Sequence, residues 1–259
     1  MKRLRNALRH PAFRWTARLA PFFVLVGLLT PEAISQQISV NLGTGQGLTS
    51  GIVQLIALIT VLSLAPSILV MTTSFVRIVI VLSLVRTAIG LQSAPPNSVI
   101  ISLSLFLTAF VMAPTFTSAY NAGIQPYMNN TMPLEQAIPR ALEPLQVFMS
   151  RHAQPQDVQL FHDMAKVAKV DNAAKEPFQV LAPAFMISEL KRAFEIGFMV
   201  FLPFLVIDLV VASILMAMGM MMLPPVTISL PFKLIFFVLI DGWHMLAGSL
   251  VESFVNAPP

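Results

Sequence analysis

Three ionisable residues, Asp208, Lys233 and Asp241, lie inside long apolar segments, where a charge is costly. A charged side chain in a membrane helix is usually paired, hydrated or functional. These residues could therefore carry protons or fix how helices pack, and a packing role is favoured. Lys233 precedes Asp241 by eight residues, about two helical turns, so it could instead pair with Asp208 on a facing helix.

Evidence for catalysis in the sequence is weak. Asp208 and Asp241 could form an aspartyl dyad, but the flanking residues do not supply the motifs of intramembrane aspartyl proteases. The chain has no cysteine, no HExxH and no GxSxG, and its histidines are scattered. Asp241 and His244 share a helix face without a matching nucleophile. The sequence therefore predicts no catalytic residue, no metal site and no cofactor, and a protein that is not an enzyme.

Methionine is unusually dense just before a proline pair. Five of the seven residues from Met216 to Met222 are methionine, and Pro224-Pro225 follows. Methionine is flexible and polarizable, so it packs against changing partners. Because the adjacent Met220, Met221 and Met222 point in different directions, several copies of this turn around an axis would form a deformable apolar seal. Methionines that face lipid are the alternative.

The composition of the 259 residues is that of a membrane protein. Hydrophobic residues make up 56% and charged residues 11%, whereas soluble domains carry about 25% charged residues. An ordinary cytosolic enzyme, a disordered regulator and a nucleic-acid-binding protein are therefore excluded. Six of the sixteen basic residues lie in the first eighteen positions, and from Gln36 onward ten Lys/Arg face eleven Asp/Glu. The basic character belongs to the N-terminus and not to a nucleic-acid surface.

The N-terminal segment 1–35 is expected to be a signal peptide. A basic region precedes eleven apolar residues, 19–29, which span only about 16 Å as a helix against a hydrocarbon layer of ~30 Å. Small residues follow, and cleavage is expected near Ser35. An uncleaved signal anchor is the alternative. Residues 36–51 form a polar, glycine-rich lead-in.

Two apolar helical hairpin regions, 52–116 and 183–259, flank a polar region, 117–182. The expected helices cover 52–71, 74–91, 99–116, 194–223 and 232–255. Region 117–182 is expected to be a small extramembrane helical domain, with amphipathic helices over 134–149 and 155–170, the first kinked or split by Pro139 and Pro144. Apolar residues recur on one face of each helix: Ala137, Leu142, Leu145, Phe148 and Met149 in the first, and Val158, Phe161, Met164, Ala165 and Ala168 in the second.

The predicted fold is all-α: a polytopic membrane protein of helical hairpins with a small extramembrane helical domain. If the signal is cleaved, Arg77, Arg86 and the Pro95-Pro96 turn lie at the cytoplasmic interface, in line with the positive-inside rule. Arg77 and Arg86 also indicate that 74–91 is interfacial or packed inside protein. The segment that starts at Pro95-Pro96 is similar to the one at Pro224-Pro225, which is typical of broken helices along a pathway. Two unrelated tight turns are the alternative.

Two long segments resemble the signatures of the FliP family, membrane components of the bacterial flagellar type III export apparatus. They are residues 183–198 (PAFMISELKRAFEIGF) and 231–243 (PFKLIFFVLIDGW). Residues 201–208 (FLPFLVID), 220–225 and 71–96 also fit, so the resemblance covers the chain from Ile52 onward. The leader favours the flagellar branch over injectisome counterparts.

The resemblance implies a function. FliP-like proteins form a multimeric export gate with FliQ-like and FliR-like membrane proteins and other export-apparatus components, and the gate passes unfolded flagellar subunits across the inner membrane. It implies that Met220, Met221 and Met222 form the pore gasket, and that the protein lies in the flagellar basal body with a periplasmic domain. The alternatives are a proton-coupled transporter that uses Asp208 and Asp241, and an injectisome-type gate subunit.

Overall fold

The computed structural model describes residues 46–91, 93–166, 176–220 and 222–255. The predicted signal peptide, Met221 and Ala168 lie outside these ranges. The chain comprises two units, residues 1–60 and 61–259. In the first unit the described residues, 46–60, are helical.

The described residues form helices and turns without a strand, which confirms the predicted all-α membrane fold. The helices are α1 Gln46–Thr72, α2 Phe75–Ile89, α3 Asn97–Ala119, α4 Gln125–Met128, α5 Leu134–His152, α6 Pro155–Ala165, α7 Phe178–Ala217, α8 Pro225–Leu239 and α9 Gly242–Val255. A π-helical turn, Tyr120–Ile124, joins α3 to α4.

Two helical segments are each long and apolar enough to cross a membrane. They are Asn97–Met128 and Phe178–Ala217. Two bent pairs pass the same test: Pro66–Thr72 with α2, bent by 77°, and α8 with α9, bent by 62°. The described residues therefore contain two to four candidate spans.

Helix α2 is the centre of the larger unit. Its buried residues contact α7 on one side and α3 on another. The core around it also takes residues from α5 and α9, and includes Ile78, Val81, Leu82, Val85, Phe148, Leu181, Phe185, Leu250 and Phe254. A helix surrounded in this way needs no lipid-facing surface, which explains how α2 tolerates arginine.

Helix α7 begins earlier than predicted. Apolar content pointed to a helix from residue 194, but α7 starts at Phe178 and has 40 residues. A helix of that length extends over roughly 60 Å, about twice the hydrocarbon layer. Its N-terminal part carries Ser188, Glu189, Lys191 and Arg192 and packs on α5 and α6. One continuous helix, a candidate span over its whole length, thus carries both a polar part that packs on α5 and α6 and a long apolar part.

The predicted single helix over residues 232–255 is wrong, because the chain breaks between α8 and α9. Asp241 adopts a left-handed backbone, with φ of 49°. The Cβ of any other residue at Gly242 would lie 2.2 Å from Phe237 Cε2, so glycine allows the bend to close on that ring. An Asp-Gly pair is a turn signal, and here it overrides the apolar run around it.

The two amphipathic helices differ in detail from the prediction. Helix α5 is continuous, with Pro139 and Pro144 inside it, and so is not split. On the predicted apolar faces, Leu142 and Met164 are exposed, as is Ala165. Helix α6 ends at Ala165, before Lys166 in a left-handed conformation, and buries His162.

Candidate functional site

The methionine-rich turn (residues 218–224) joins α7 to α8. Helix α7 ends in a Schellman motif: Gly219 N–H donates to Met216 O at 3.1 Å, and Met220 N–H donates to Leu215 O at 2.9 Å. Gly219 has φ of 74°, which only glycine adopts easily. These bonds satisfy the last carbonyls of α7 and fix the base of the turn.

The described methionine side chains of this turn are exposed to different degrees. Met222 is 98% exposed and Met220 is 40% exposed. Met216 and Met218, at the end of α7, are also exposed. Large apolar side chains at the tip of a hairpin bury surface only against another molecule, so this turn is available for contact with other chains.

A second proline-containing turn (residues 90–96) has the same construction. Gly90 N–H donates to Thr87 O at 3.0 Å and Leu91 N–H to Arg86 O at 3.2 Å, again a Schellman motif. Pro95 and Pro224 each lie five residues after the left-handed glycine, and Pro96 and Pro224 are the residues that precede α3 and α8. The Ala94–Pro95 peptide bond is cis.

Arg86 braces this second turn. Its Nη1 donates to Asn97 Oδ1 at 2.5 Å and to Pro95 O at 3.3 Å. The side chain therefore connects the end of α2 with the start of α3. Arg86 is only partly buried.

Arg77 lies in the protein interior and not at the surface, and the sequence interpretation missed its partner. Nε donates to Glu189 Oε2 at 2.8 Å, and Nη2 contacts Glu189 Oε1. The side chains are 1% and 0% exposed. Glu189 had been considered only as part of a family signature beside Lys191 and Arg192. Leu181, Phe185 and Ser188 share its helix face, and that apolar periodicity is the signal that could have identified it as buried.

Arg77 also reaches the end of α9. Nη1 donates to Ser253 Oγ at 3.0 Å, and the guanidinium lies 3.8 Å from the centroid of the Phe254 ring. A buried charge is tolerated only when it is paired and its donors are satisfied. The Arg77–Glu189 pair meets that condition and joins α2, α7 and α9.

Asp208 and Lys233 are brought together by α7 and α8. Lys233 Nζ donates to Asp208 Oδ2 at 2.6 Å, and Ser229 Oγ donates to Asp208 Oδ1 at 2.5 Å. Lys233 is buried, while Asp208 remains 25% exposed. The carboxylate therefore holds two positions of α8, one turn apart, against α7.

Asp241 does not join this cluster. It lies in the break between α8 and α9 and is exposed. Lys233, the nearer of the two residues that bind Asp208, is eight residues earlier, or about 12 Å along a helix. The two aspartates therefore form neither a dyad nor a directly shared proton site.

Polar contacts join α6 and its flanking residues to the N-terminal part of α7. Ser188 Oγ donates to Asp157 Oδ2 at 2.6 Å and accepts from Gln154 N–H at 2.7 Å. His162 and Glu176 form a second, buried pair at this end of the molecule. Across the described ranges there is no group of three or more His, Cys, Asp or Glu that could hold a metal ion.

Comparison with known proteins places these features in a family. Residues 58–250 match the FliP family. Flagellar biosynthetic protein FliP of Caulobacter vibrioides is 60% identical over 89% of this chain and 87% of its own length. The proteins of the same name from Bacillus subtilis and Agrobacterium fabrum are 54% and 46% identical, over 79% and 93% of this chain and 93% and 99% of their own lengths. The chain therefore belongs to the FliP family of flagellar biosynthetic proteins.

Proposed function

We propose that this chain is a pore-forming, non-catalytic subunit of the flagellar type III export gate. Several copies assemble with FliQ-like and FliR-like membrane proteins in the inner membrane, with the region around α5 and α6 on the periplasmic side. The assembly passes unfolded flagellar subunits. The methionine-rich turns of the copies meet around the conduit and close it between export events.

One observation carries the proposal: the methionine-rich turn is rigid at its base and exposed at its tip. The Schellman motif fixes where the turn begins, while Met222 is almost fully exposed. Thioether side chains with three rotatable bonds can seal against each other and part when a chain passes. A turn buried against its own helices could not do this.

Exposed apolar faces support assembly with other chains. On α3, Phe106 and Phe110 are exposed, and α7 exposes a longer series: Phe194, Phe198, Met199, Leu202, Val206, Leu209, Val210 and Ile214. Neighbouring subunits or lipid would cover these faces. The region around α5 and α6 is also incompletely covered, since Leu134, Ile138 and Met164 are exposed outside the candidate spans.

The contacts of Asp208 disfavour a proton-coupled transporter. The Asp208 carboxylate accepts bonds from Lys233 and Ser229 and so links two helices, and Asp241 lies outside this cluster, in the break between α8 and α9. The combined Asp208→Asn and Asp241→Asn variant should perturb assembly. Loss of transport from a fully assembled complex in that variant would favour the transporter.

The assembly is tested by purification of the tagged full-length chain in mild detergent from a flagellated host. Native mass spectrometry should give one complex with several copies of this chain and two smaller membrane proteins. A cell that lacks the gene should secrete no hook or filament subunit, and the gene should restore secretion. A monomer with no co-purifying membrane protein would contradict the proposal.

A further inference from the structure

His152 joins the end of α5 to the end of α9 through both ring nitrogens. Nδ1 lies 2.8 Å from Phe148 O on its own helix, and Nε2 lies 3.3 Å from Phe254 O on α9. The side chain is 4% exposed. The ring centroids of Phe148 and Phe254 lie 4.4 and 5.4 Å from that of His152. Little of the imidazole surface is therefore in contact with bulk water.

A permanent cation, the Arg77 guanidinium, also lies at the end of α9 that His152 contacts. The Arg77 guanidinium lies against the Phe254 ring and bonds Ser253. Backbone carbonyls at a helix C-terminus attract cations, so the end of α9 is held by Arg77 from α2 and by His152 from α5. Only Arg77 has a carboxylate partner there, namely Glu189.

Neither protonation state of His152 suits this site completely. A neutral imidazole has one N–H and can donate to only one of the two carbonyls, whereas the imidazolium donates to both. The imidazolium, however, adds a second buried positive charge beside Arg77. Burial has the largest effect and lowers the pKa of His152. The positive charges of Arg77 and Arg192 lower this pKa further, and the two backbone carbonyls oppose the shift only in part.

Among the described residues around His152 there is no unpaired buried carboxylate to balance the proton. Helix α2 contributes Arg77, and α7 contributes Arg192 and the already paired Glu189. On α5 itself, Glu143 and Arg151 line an adjoining cavity of about 600 Å³. The residues from α3 and the following turn that line this cavity carry no charge: Val111, Pro114, Thr115, Ser118 and Ala122. The cavity gives a proton and water a route to the ring.

We propose that His152 is a pH-sensitive contact, which holds the end of α9 on α5 while it is neutral and weakens that junction when it takes up a proton. In the unfolded chain the histidine has its ordinary pKa of about 6.5. Because the folded pKa is lower, the unfolded state binds the proton first. The contribution of His152 to stability is therefore complete above pH ~6.5 and is lost as the pH falls toward the folded pKa. This inference does not depend on the proposed function.

The test compares melting temperatures of the full-length protein in mild detergent at pH 7.5 and pH 5.5. Between these pH values the Tm of the wild type should fall by at least ~3 °C more than the Tm of His152→Gln. A fall of that size corresponds to a pKa difference of about one unit between the folded and unfolded states in a domain of this size. Two controls, His244→Gln on the surface and His162→Gln at the other buried histidine, should keep the additional fall. An equal fall in His152→Gln and the wild type would overturn the proposal.

Hydrogen exchange on the wild type gives a second measurement, which decides the matter if His152→Gln does not fold. Protection factors, which correct for the intrinsic pH dependence of exchange, are compared between pH 7.5 and 5.5. The peptide of residues 246–255 should lose at least about fivefold more protection than that of residues 225–239, which does not contact His152. Equal losses in the two peptides would overturn the proposal.

Discussion

The two proline-containing turns have the same backbone construction but differ in what restrains them. Each helix ends in a Schellman motif on a left-handed glycine, Gly90 or Gly219, and each proline pair begins five residues later. In the turn at residues 90–96, Arg86 bonds Asn97 and Pro95 across the turn itself. In the methionine-rich turn the nearest cross-link is Asp208 to Ser229 and Lys233.

The position of the cross-link separates a fixed turn from an adaptable one. Asp208 lies nine residues before the end of α7, about 13 Å along the helix. The bonds from Asp208 to Ser229 and Lys233, the clamp between α7 and α8, therefore align these helices. The described methionines beyond the clamp have no comparable polar brace. The same Schellman motif therefore begins both turns. The turn at residues 90–96 is cross-linked across itself, whereas the side chains of the methionine-rich turn are left able to move. The predictions below test this contrast, from the largest expected effect to the smallest.

Loss of the buried pair between the two hairpins should have the largest effect. Glu189→Ala leaves the Arg77 guanidinium buried without its carboxylate, and this should lower the free energy of unfolding by about 3–5 kcal/mol. Thermal unfolding in mild detergent measures it. The double variant Arg77→Met with Glu189→Met should recover most of the loss, because an apolar pair needs no desolvation of charge. Wild-type stability of Glu189→Ala would show that the pair does not anchor α2 to α7.

Loss of the clamp between α7 and α8 should cost less. Lys233→Ala leaves Asp208 with Ser229 and some water, so we expect a loss of about 1–3 kcal/mol in the same unfolding measurement. Lys191→Ala is the matched control, since that lysine bonds only Gln154 at an exposed position. If Lys233→Ala and Lys191→Ala are equally stable, the Lys233–Asp208 bond does not hold α7 against α8.

The two left-handed glycines should respond alike to alanine. Gly90→Ala and Gly219→Ala should each cost about 1–2 kcal/mol, from backbone strain alone, because neither added Cβ meets an atom closer than 3.7 Å. Gly248→Ala in the interior of α9 is the control, and should be neutral or stabilising. If only one of the pair is sensitive, the two turns do not share the same capping requirement.

The brace at Arg86 should have the smallest effect on stability. Arg86→Gln removes a partly exposed bond to Asn97, and we expect a loss of less than ~1 kcal/mol. Hydrogen exchange of Leu91 and nearby described residues of this turn should rise, whereas exchange in the methionine-rich turn should stay unchanged. A simultaneous rise in both turns would mean that they are not independently restrained.

The sequence predicted the fold well where apolar runs end at proline or glycine. Helices α2 and α3 begin within two residues of the predicted boundaries, at Phe75 and Asn97. Helix α8 begins at Pro225, directly after Pro224 and seven residues before the predicted start at 232. The break at Asp241-Gly242 was missed because the residues on both sides are apolar, although Asp-Gly is a turn signal and the ring of Phe237 packs directly against Gly242. The start of α7 was missed because a polar segment on a long helix has the composition of a loop.

The sequence identified those site residues whose charges lie in apolar segments, because such charges are costly to bury without a partner. Asp208 and Lys233 were considered as partners because charges in apolar helices require them. Glu189 was not, since neighbouring lysine and arginine give it the composition of a solvated surface. The exposure of Leu142 and Met164 could not be predicted, because periodicity identifies an apolar face but not whether the same chain covers it.

The most direct test of the central claim is the ion permeability of membranes that contain the assembled complex when Met220, Met221 and Met222 are all replaced by alanine. The complex should assemble, and the membrane should become leaky. Two controls should remain tight: leucine at the same three positions, which keeps the apolar volume, and alanine at Met128, Met164 and Met199, which are exposed elsewhere. A tight membrane in the Met220–Met222 alanine variant, with assembly intact, would contradict a methionine seal.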